Sequence, residues 1–325
     1  MIYFDQTTLK KTEERIIDNM KISNPQTIED YEVRNALLAS SLRDTPTSWK
    51  YESEYPLVLS PANSDTSWCL HTAGKIVAHA NLWPRDLLNV SPQRVLRIGL
   101  IGNVATDSNH RGLGLMSAMF SHLEKTAQSQ GIQALVLWSD LLEFYQNLGF
   151  SSIGREVRFS LTRNPKIKDT GVKHCVVETL SDLDLAEMLK LRPKQEWSIK
   201  RSIEEFRALL RIPNTSLFIR RENSRIRAWL LIGKGSDMQG VIHEWGAHKP
   251  EELIQDIQSI LETWNIPELL LLTPSHLPHH WIQHLKQHCN QYTEHPMALG
   301  LPIGHRGCEA IAALTQSFIW GLDSI

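Results

Sequence analysis

The stretch from Val104 to Phe150, VATDSNHRGLGLMSAMFSHLEKTAQSQGIQALVLWSDLLEFYQNLGF, constrains this chain more than any other. It starts at the end of a β-branched and apolar run, breaks at TDSN, and passes through HRGLG into an amphipathic segment. Leu113, Met116, Met119, Phe120, Leu123 and Ala127 recur at helical spacing and form one apolar stripe. Gly131 ends that helix. Ile132 to Trp138 then reads as a short apolar strand, and Leu141 to Leu148 as a second short helix closed by Gly149. A strand, a glycine turn, a helix and another strand in this order describe an α/β unit with a helical crossover. The start of the helix also has chemistry. Gly112 and Gly114 let a ligand approach the backbone, the first N–H groups have no partner within the helix, and Arg111 adds charge-assisted donors. Such a turn suits a phosphate, but glycine turns also simply begin helices.

At 325 residues the chain suggests two units of about 150 residues each. Its formal charge of -2 supplies no general attraction to nucleic acid or to an anionic membrane. The 4 cysteines, at positions 69, 175, 289 and 308, lack the paired spacing of a disulfide scaffold or a thiolate metal site. The N-terminus has no signal-peptide order, and no apolar run approaches the roughly 18 residues of a membrane span. These features lead us to expect a soluble cytoplasmic protein.

Residues 1–19 read as a polar helix or extension, Met20 to Ser23 as a strand, and the segment from Pro25 as a helix. An irregular stretch from Asp44 to Asn63 carries Trp49, Tyr51 and Tyr55, which either wall a substrate site or pack the loop onto the core. A hairpin is expected around Ala73-Gly74, followed by a polar connection, PRDLLNVSPQ. The long strand from Val95 contains Gly99 and Gly102, suited to a bulge or a close ligand approach. Ser152 to Leu161 finishes the first unit, and TRNPKIKDTG from Thr162 to Gly171 reads as a linker.

Beyond the linker, strand, turn, long helix, apolar strand and short helix recur about 135–140 residues later. Ile132 to Trp138 corresponds to Ile266 to Leu272, and Tyr145 falls near Trp281. The glycine turn has become GAHKPEE, and its proline and two glutamates weaken anion binding.

The segment Val95 to Phe159 resembles the GCN5-related N-acetyltransferase (GNAT) family. That family carries a turn of the form Arg/Gln-x-x-Gly-x-Gly/Ala after a strand. Here Val104 leads in, Arg111 takes the first position and Gly114 the central glycine, while Met116 replaces the family's small residue. A second signature, an aromatic-rich helix followed by Gly-Phe, appears as FYQNLGF, with Tyr145 at the place of the usual general acid. Tandem members, including the group resembling enhanced-intracellular-survival acetyltransferases, pair an intact copy with a degenerate one.

The resemblance implies an α/β fold of two tandem GNAT-like domains, each a mixed central sheet flanked by helices. Residues 20–161 would form the acetyl-CoA-binding domain and 172–325 the degenerate one. It implies transfer of an acetyl group from acetyl-CoA to a primary amine, on a small molecule or a peptide, by a monomer or homodimer. Main-chain groups of Asn103, Val104, Ala105 and Thr106 would hold the pantetheine arm, and Arg111, Gly112, Leu113, Gly114 and Leu115 the pyrophosphate. Tyr145 would protonate the leaving thiolate, with Ser139 orienting the phenol or capping the helix. For the general base the candidates are His79, His110 and the carboxylate of Ile325, because that group is thought to bring its chain end into the active site. The missing acid on VLRIGLIGNV and the large Met116 leave open a non-catalytic acyl-CoA-binding or regulatory module. The histidine-rich segment from His276 to His288 has no HExxH pattern or placed carboxylate, and no metal site is expected there.

Overall fold

A computed structural model describes residues 20–89, 93–164 and 169–325. The expected extension at residues 1–19 and the middle of the linker lie outside the described residues.

In the first half, β1 (Lys21–Ser23) and α1 (Ile28–Leu42) precede the hairpin of β2 (Ser67–Thr72) and β3 (Lys75–Asn89). Then come β4 (Arg94–Thr106), α2 (Leu115–Ser129), β5 (Ala134–Leu137), α3 (Leu142–Asn147) and β6 (Ser151–Thr162). The second half begins with β7 (Lys173–Cys175), α4 (Asp182–Leu191), β8 (Trp197–Ile199) and α5 (Ile203–Leu210). It continues through β9 (Ser216–Glu222), β10 (Arg225–Lys234), β11 (Asp237–Ala247), α6 (Pro250–Thr263) and β12 (Glu268–Pro274). It ends with α7 (His279–His288), β13 (Gln291–Pro302), α8 (Gly307–Thr315) and a 3-10 turn, Gly321–Asp323.

Local chemistry sets these boundaries. Thr27 with Asp30, Ser181 with Asp184 and Ser202 with Glu205 form capping boxes that open α1, α4 and α5. Ala73 (φ 48°) and Gly74 (φ 78°) both take the left-handed conformation that a tight β2–β3 hairpin requires. The stretch PRDLLNVSPQ is not the connection expected of it, because β3 runs on to Asn89 and Pro84 pairs with Gly99. Pro84 is tolerated because β2 stops pairing at Asn81 and β8 begins only at Leu87, so no ladder needs its missing N–H.

The strands of the described residues lie in one sheet, ordered β1-β2-β3-β4-β5-β13-β6-β12-β11-β10-β9-β7, with β8 added along the far part of β3. Among the described residues only β4/β5 and β11/β12 pair in parallel, and these are the two pairs bridged by the long helices α2 and α6. The sheet is therefore mixed, with helices packed against it, as expected. The polar QYTEHP start of β13 hides its strand pattern in the sequence. Yet β13 is the strand that joins the molecule. It inserts between β5 and β6, while β6 sits between β13 and β12. Each half thus completes its sheet with the final strand of the other, and the linker that separates the halves in sequence does not separate them in the sheet.

One apolar cluster spans both halves, from Leu96 and Val136 to Ile242 and Leu271. A second lies under α2, where Leu115, Met119, Phe120, Leu123 and Ala127 are buried, as the helical stripe predicts. A third belongs to the second half, around Phe206 and Trp229.

Candidate active site

The site grows out of a defect in β4. His79 pairs with Ala105 and Asn81 with Gly102, so Asn103 and Val104 face the single residue Ala80 across the ladder. Asn103 takes φ 50° to make this bulge. Its carbonyl accepts from His79 Nδ1 at 2.8 Å, its Oδ1 accepts from the Tyr51 hydroxyl at 2.7 Å, and its Nδ2 donates to Asn81 Oδ1 at 3.0 Å. Asn103 is buried, and its side chain and carbonyl are committed to shaping the bulge rather than facing a ligand. Tyr51 is buried with it, and burial holds its phenol well above the usual range.

Beyond Leu100, β4 no longer pairs with β5, and a V-shaped opening follows. A groove of about 430 Å³ lies there, lined by Ser41 and Leu42 of α1, Val104 to Thr106 of β4, Arg111, Met116, and Leu141, Phe144 and Tyr145. Of the residues expected at the donor site, Val104, Ala105, Thr106, Arg111 and Tyr145 therefore share one groove. Gly112 (φ 77°) and Gly114 (φ 72°) lead from Arg111 to the start of α2, and a Cβ at either would meet nothing within 4 Å. The N-terminus of α2 has no side-chain cap and no acid in its first turn. This is the open, uncapped helix start that an anion needs. Leu115 is buried, so only its main chain faces the turn.

Tyr145 stacks edge-on with Phe120, Phe144 and Phe150 at 5.7, 5.0 and 5.8 Å between ring centres. Burial pushes its phenol above 10, and a hydrogen bond with Ser139 tempers the shift. Ser139 Oγ also accepts from Leu141 N at 3.1 Å, so it tethers the start of α3 as well.

The base candidates separate sharply. His79 does not face the groove. It is fully buried, donates to Asn103 O and accepts from Ser67 Oγ at 2.7 Å, and burial pushes it down to about 3. With both ring nitrogens engaged it holds the bulge and has no lone pair to give a substrate. His110 pairs with Asp107 at 2.8 Å in the turn that follows β4. Ile325, by contrast, reaches the bulge: a Cβ at Gly102 would overlap its main-chain carbonyl group. Gly102 was expected to admit a close approach, and the group it admits is the chain's own segment.

The loop after α1 carries two of the three aromatics into this neighbourhood. Arg43 binds buried Glu54 at 2.9 Å, Ser236 N donates to Glu54 at 2.6 Å, and the Tyr55 hydroxyl donates to Asp237 at 3.2 Å. These contacts latch the loop onto the β10–β11 turn of the second half. Sequence reasoning missed this latch because its partners are 182 residues apart.

The corresponding opening in the second half is closed. By strand register, with Val136 matched to Leu270, Val104 corresponds to Trp245. Trp245 is fully buried, donates from Nε1 to Leu272 O at 3.0 Å across the V, and stacks on Trp281 at 5.5 Å. The first turn of α6 carries Glu251 and Glu252 where α2 carries no acid. On α7, His284 and His288 lie 4.2 Å apart, and among the described residues no three metal-binding side chains come together. Among the described residues no helix is long and apolar enough to cross a membrane.

Residues 24–153 match the family model described as acetyltransferase (GNAT) domain. The first half carries a GNAT acetyltransferase domain. With it the protein is an acyltransferase. No curated protein matches the sequence. Among solved structures, the GNAT fold recurs in a probable N-acyltransferase from Enterococcus faecalis, at 11% identity and TM-score 0.64, covering 87% of this chain and 73% of that one. Eis1 from Mycobacterium abscessus matches at 12% identity and TM-score 0.59, over 90% and 75% of the two chains. The N-myristoyltransferase of Saccharomyces cerevisiae with bound myristoyl-CoA matches at 10% identity and TM-score 0.57, over 87% and 79%.

Proposed function

We propose that the protein transfers an acetyl group from acetyl-CoA to a primary amine at a single site in its first half. The observation that carries this reading is the groove that gathers the free end of β4, Arg111 and Tyr145 beside an uncapped helix start. The main chain of Val104 to Thr106 holds the pantetheine arm, and Arg111 with the N–H groups of Gly112 to Leu115 holds the pyrophosphate. The fit is chemical as well as spatial. The turn offers donors and a positive helix end, and no carboxylate stands in the first turn of α2.

In the transfer, a C–N bond forms as the C–S bond breaks. The Tyr145 hydroxyl gives its proton to the departing sulfur, and the amine gives up a proton of its own. Burial keeps the phenol protonated at neutral pH, as an acid of this kind requires. Where Ile325 ends the chain, its α-carboxylate stands beside Gly102 and takes the amine proton. His79 is left as the residue that fixes the bulge.

The test is release of CoA from acetyl-CoA with a panel of amines: an aminoglycoside, a polyamine, an amino acid and a peptide. Turnover is expected with at least one of them, and Tyr145→Phe should lower kcat by about 10²–10⁴-fold with acetyl-CoA binding retained. Tight acetyl-CoA binding without release on any amine would leave a binding module instead. Full turnover by Tyr145→Phe would remove this residue from the mechanism. A chain extended by one residue past Ile325 should lose turnover, and retained turnover would remove the carboxylate.

A further inference from the structure

In the second half, whose opening Trp245 plugs, a buried cation gives its hydrogen bonds to residues 321–324. Lys234, at the end of β10, is buried. Two register shifts in the β10–β11 ladder, on either side of Ile232, and a left-handed Gly233 (φ 76°) break the regular alternation just before it. Bulges of this kind re-aim a side chain. Lys234 Nζ donates to Gly321 O at 2.8 Å, to Ser324 O, and to Ser324 Oγ at 3.2 Å. The three hydrogens of the ammonium match these three acceptors.

The rest of the seat is built around the same segment. Arg201, buried, grips Asp323 through Nε at 3.2 Å and Nη2 at 2.6 Å, and reaches Glu244 at 2.7 Å. Arg192 adds a contact to Glu244 at 3.2 Å. A Cβ at Gly321 would overlap the ring of buried His243, whose Nε2 is tied to Gly233 O at 2.9 Å. Gly321 at one end of the segment and Gly102 at the other are thus both places where chain and seat touch without room for a side chain. The cavity left beside Lys234 and Ile325 is about 20 Å³, room for roughly one water.

We propose that Lys234 is a positioning residue: it seats residues 321–325 so that Ile325 is presented to the β4 bulge, and the second half thereby serves the acyl-transfer site of the first. The role in transfer rests on the function proposed above, whereas the seating does not.

The test combines hydrogen exchange with kinetics on the full chain. In Lys234→Met, exchange across residues 318–325 should quicken at least about tenfold, while strands β3 to β5 keep their protection. The KM for acetyl-CoA should stay within about twofold and kcat should fall at least about tenfold, because the donor groove is untouched. Gly321→Ala, which displaces the segment by overlap with His243, should move the same two readouts in the same direction. It decides the question if Lys234→Met does not fold. Unchanged exchange at 318–325 in a folded Lys234→Met, or in Gly321→Ala if that is the variant that folds, would overturn the seating. Quickened exchange with undiminished kcat would overturn its link to transfer. A wild-type protein that binds acetyl-CoA but acetylates no amine would overturn the functional reading and the link together, and leave the seating to be judged by exchange alone.

Discussion

Single residues here divide between those that line the groove and those that hold the backbone around it. Arg111 is exposed and lines the groove, and in the proposed reaction it gives one charge-assisted contact to the donor. Arg111→Ala should raise the KM for acetyl-CoA by about ten- to a hundredfold, the equivalent of roughly 1.5–3 kcal/mol, with kcat little changed, as steady-state kinetics would show. His79 and His243 belong to the second kind. Both are fully buried and pushed down to about 3 by burial, against 6.5 in the unfolded chain. Below 6.5 the unfolded state binds protons that the folded state refuses, so their stabilising effect is complete above that pH and drains away as pH falls toward 3. At pH 5 each should cost about 2 kcal/mol, and the urea midpoint should drop accordingly between pH 7.5 and pH 5. A midpoint that does not move over this range would mean that neither ring is held neutral. A local motif is legible as a motif: Arg111, Gly114 and Tyr145 stand within one continuous stretch. Residue identity misassigned His79 because a histidine on a strand looks the same in sequence whether it faces a groove or fills a bulge. The ties to Ser67 and Asn103 span 12 and 24 positions.

Elements tell the same story at a larger scale. α2 and α6 occupy matching places, and each lacks a side-chain cap. They differ in the first turn and in what stands at the opening. Trp245 plugs the opening of the second half that corresponds to the groove of the first, and it also carries a load in the core. Trp245→Ala should destabilise the protein by about 3–5 kcal/mol in thermal or urea unfolding. It should not create a second acetyl-CoA site in calorimetry, because Glu251 and Glu252 remain in the first turn of α6. A stoichiometry of two would contradict this. GAHKPEE made the loss of the second turn legible in the sequence. The plug was not legible, since a tryptophan in an apolar strand gives no sign that its Nε1 crosses to the neighbouring strand.

For the molecule as a whole, the exchange of β6 and β13 decides what counts as a folding unit. Residues 20–161 alone would lack β13, leaving β5 and β6 unpaired toward each other with Val136, Leu137 and Ile153 uncovered. Expressed alone, that fragment should be unfolded or aggregated by circular dichroism and size exclusion, and co-expression with residues 162–325 should restore a compact complex. An autonomously folded, monomeric fragment would refute this. The sequence repeat announced two similar halves but could not show the exchange, because register across a sheet is not written in strand order.

The shared pair of strands also bears on how this molecule can move. Two lobes joined by a flexible hinge can part to admit a substrate and close over it. Here parting them would mean shearing the β5–β13, β13–β6 and β6–β12 ladders at once. The two lobes are mechanically one body, and the segment between α1 and β2 is fastened across the seam as well, by the latch of Arg43, Glu54 and Ser236.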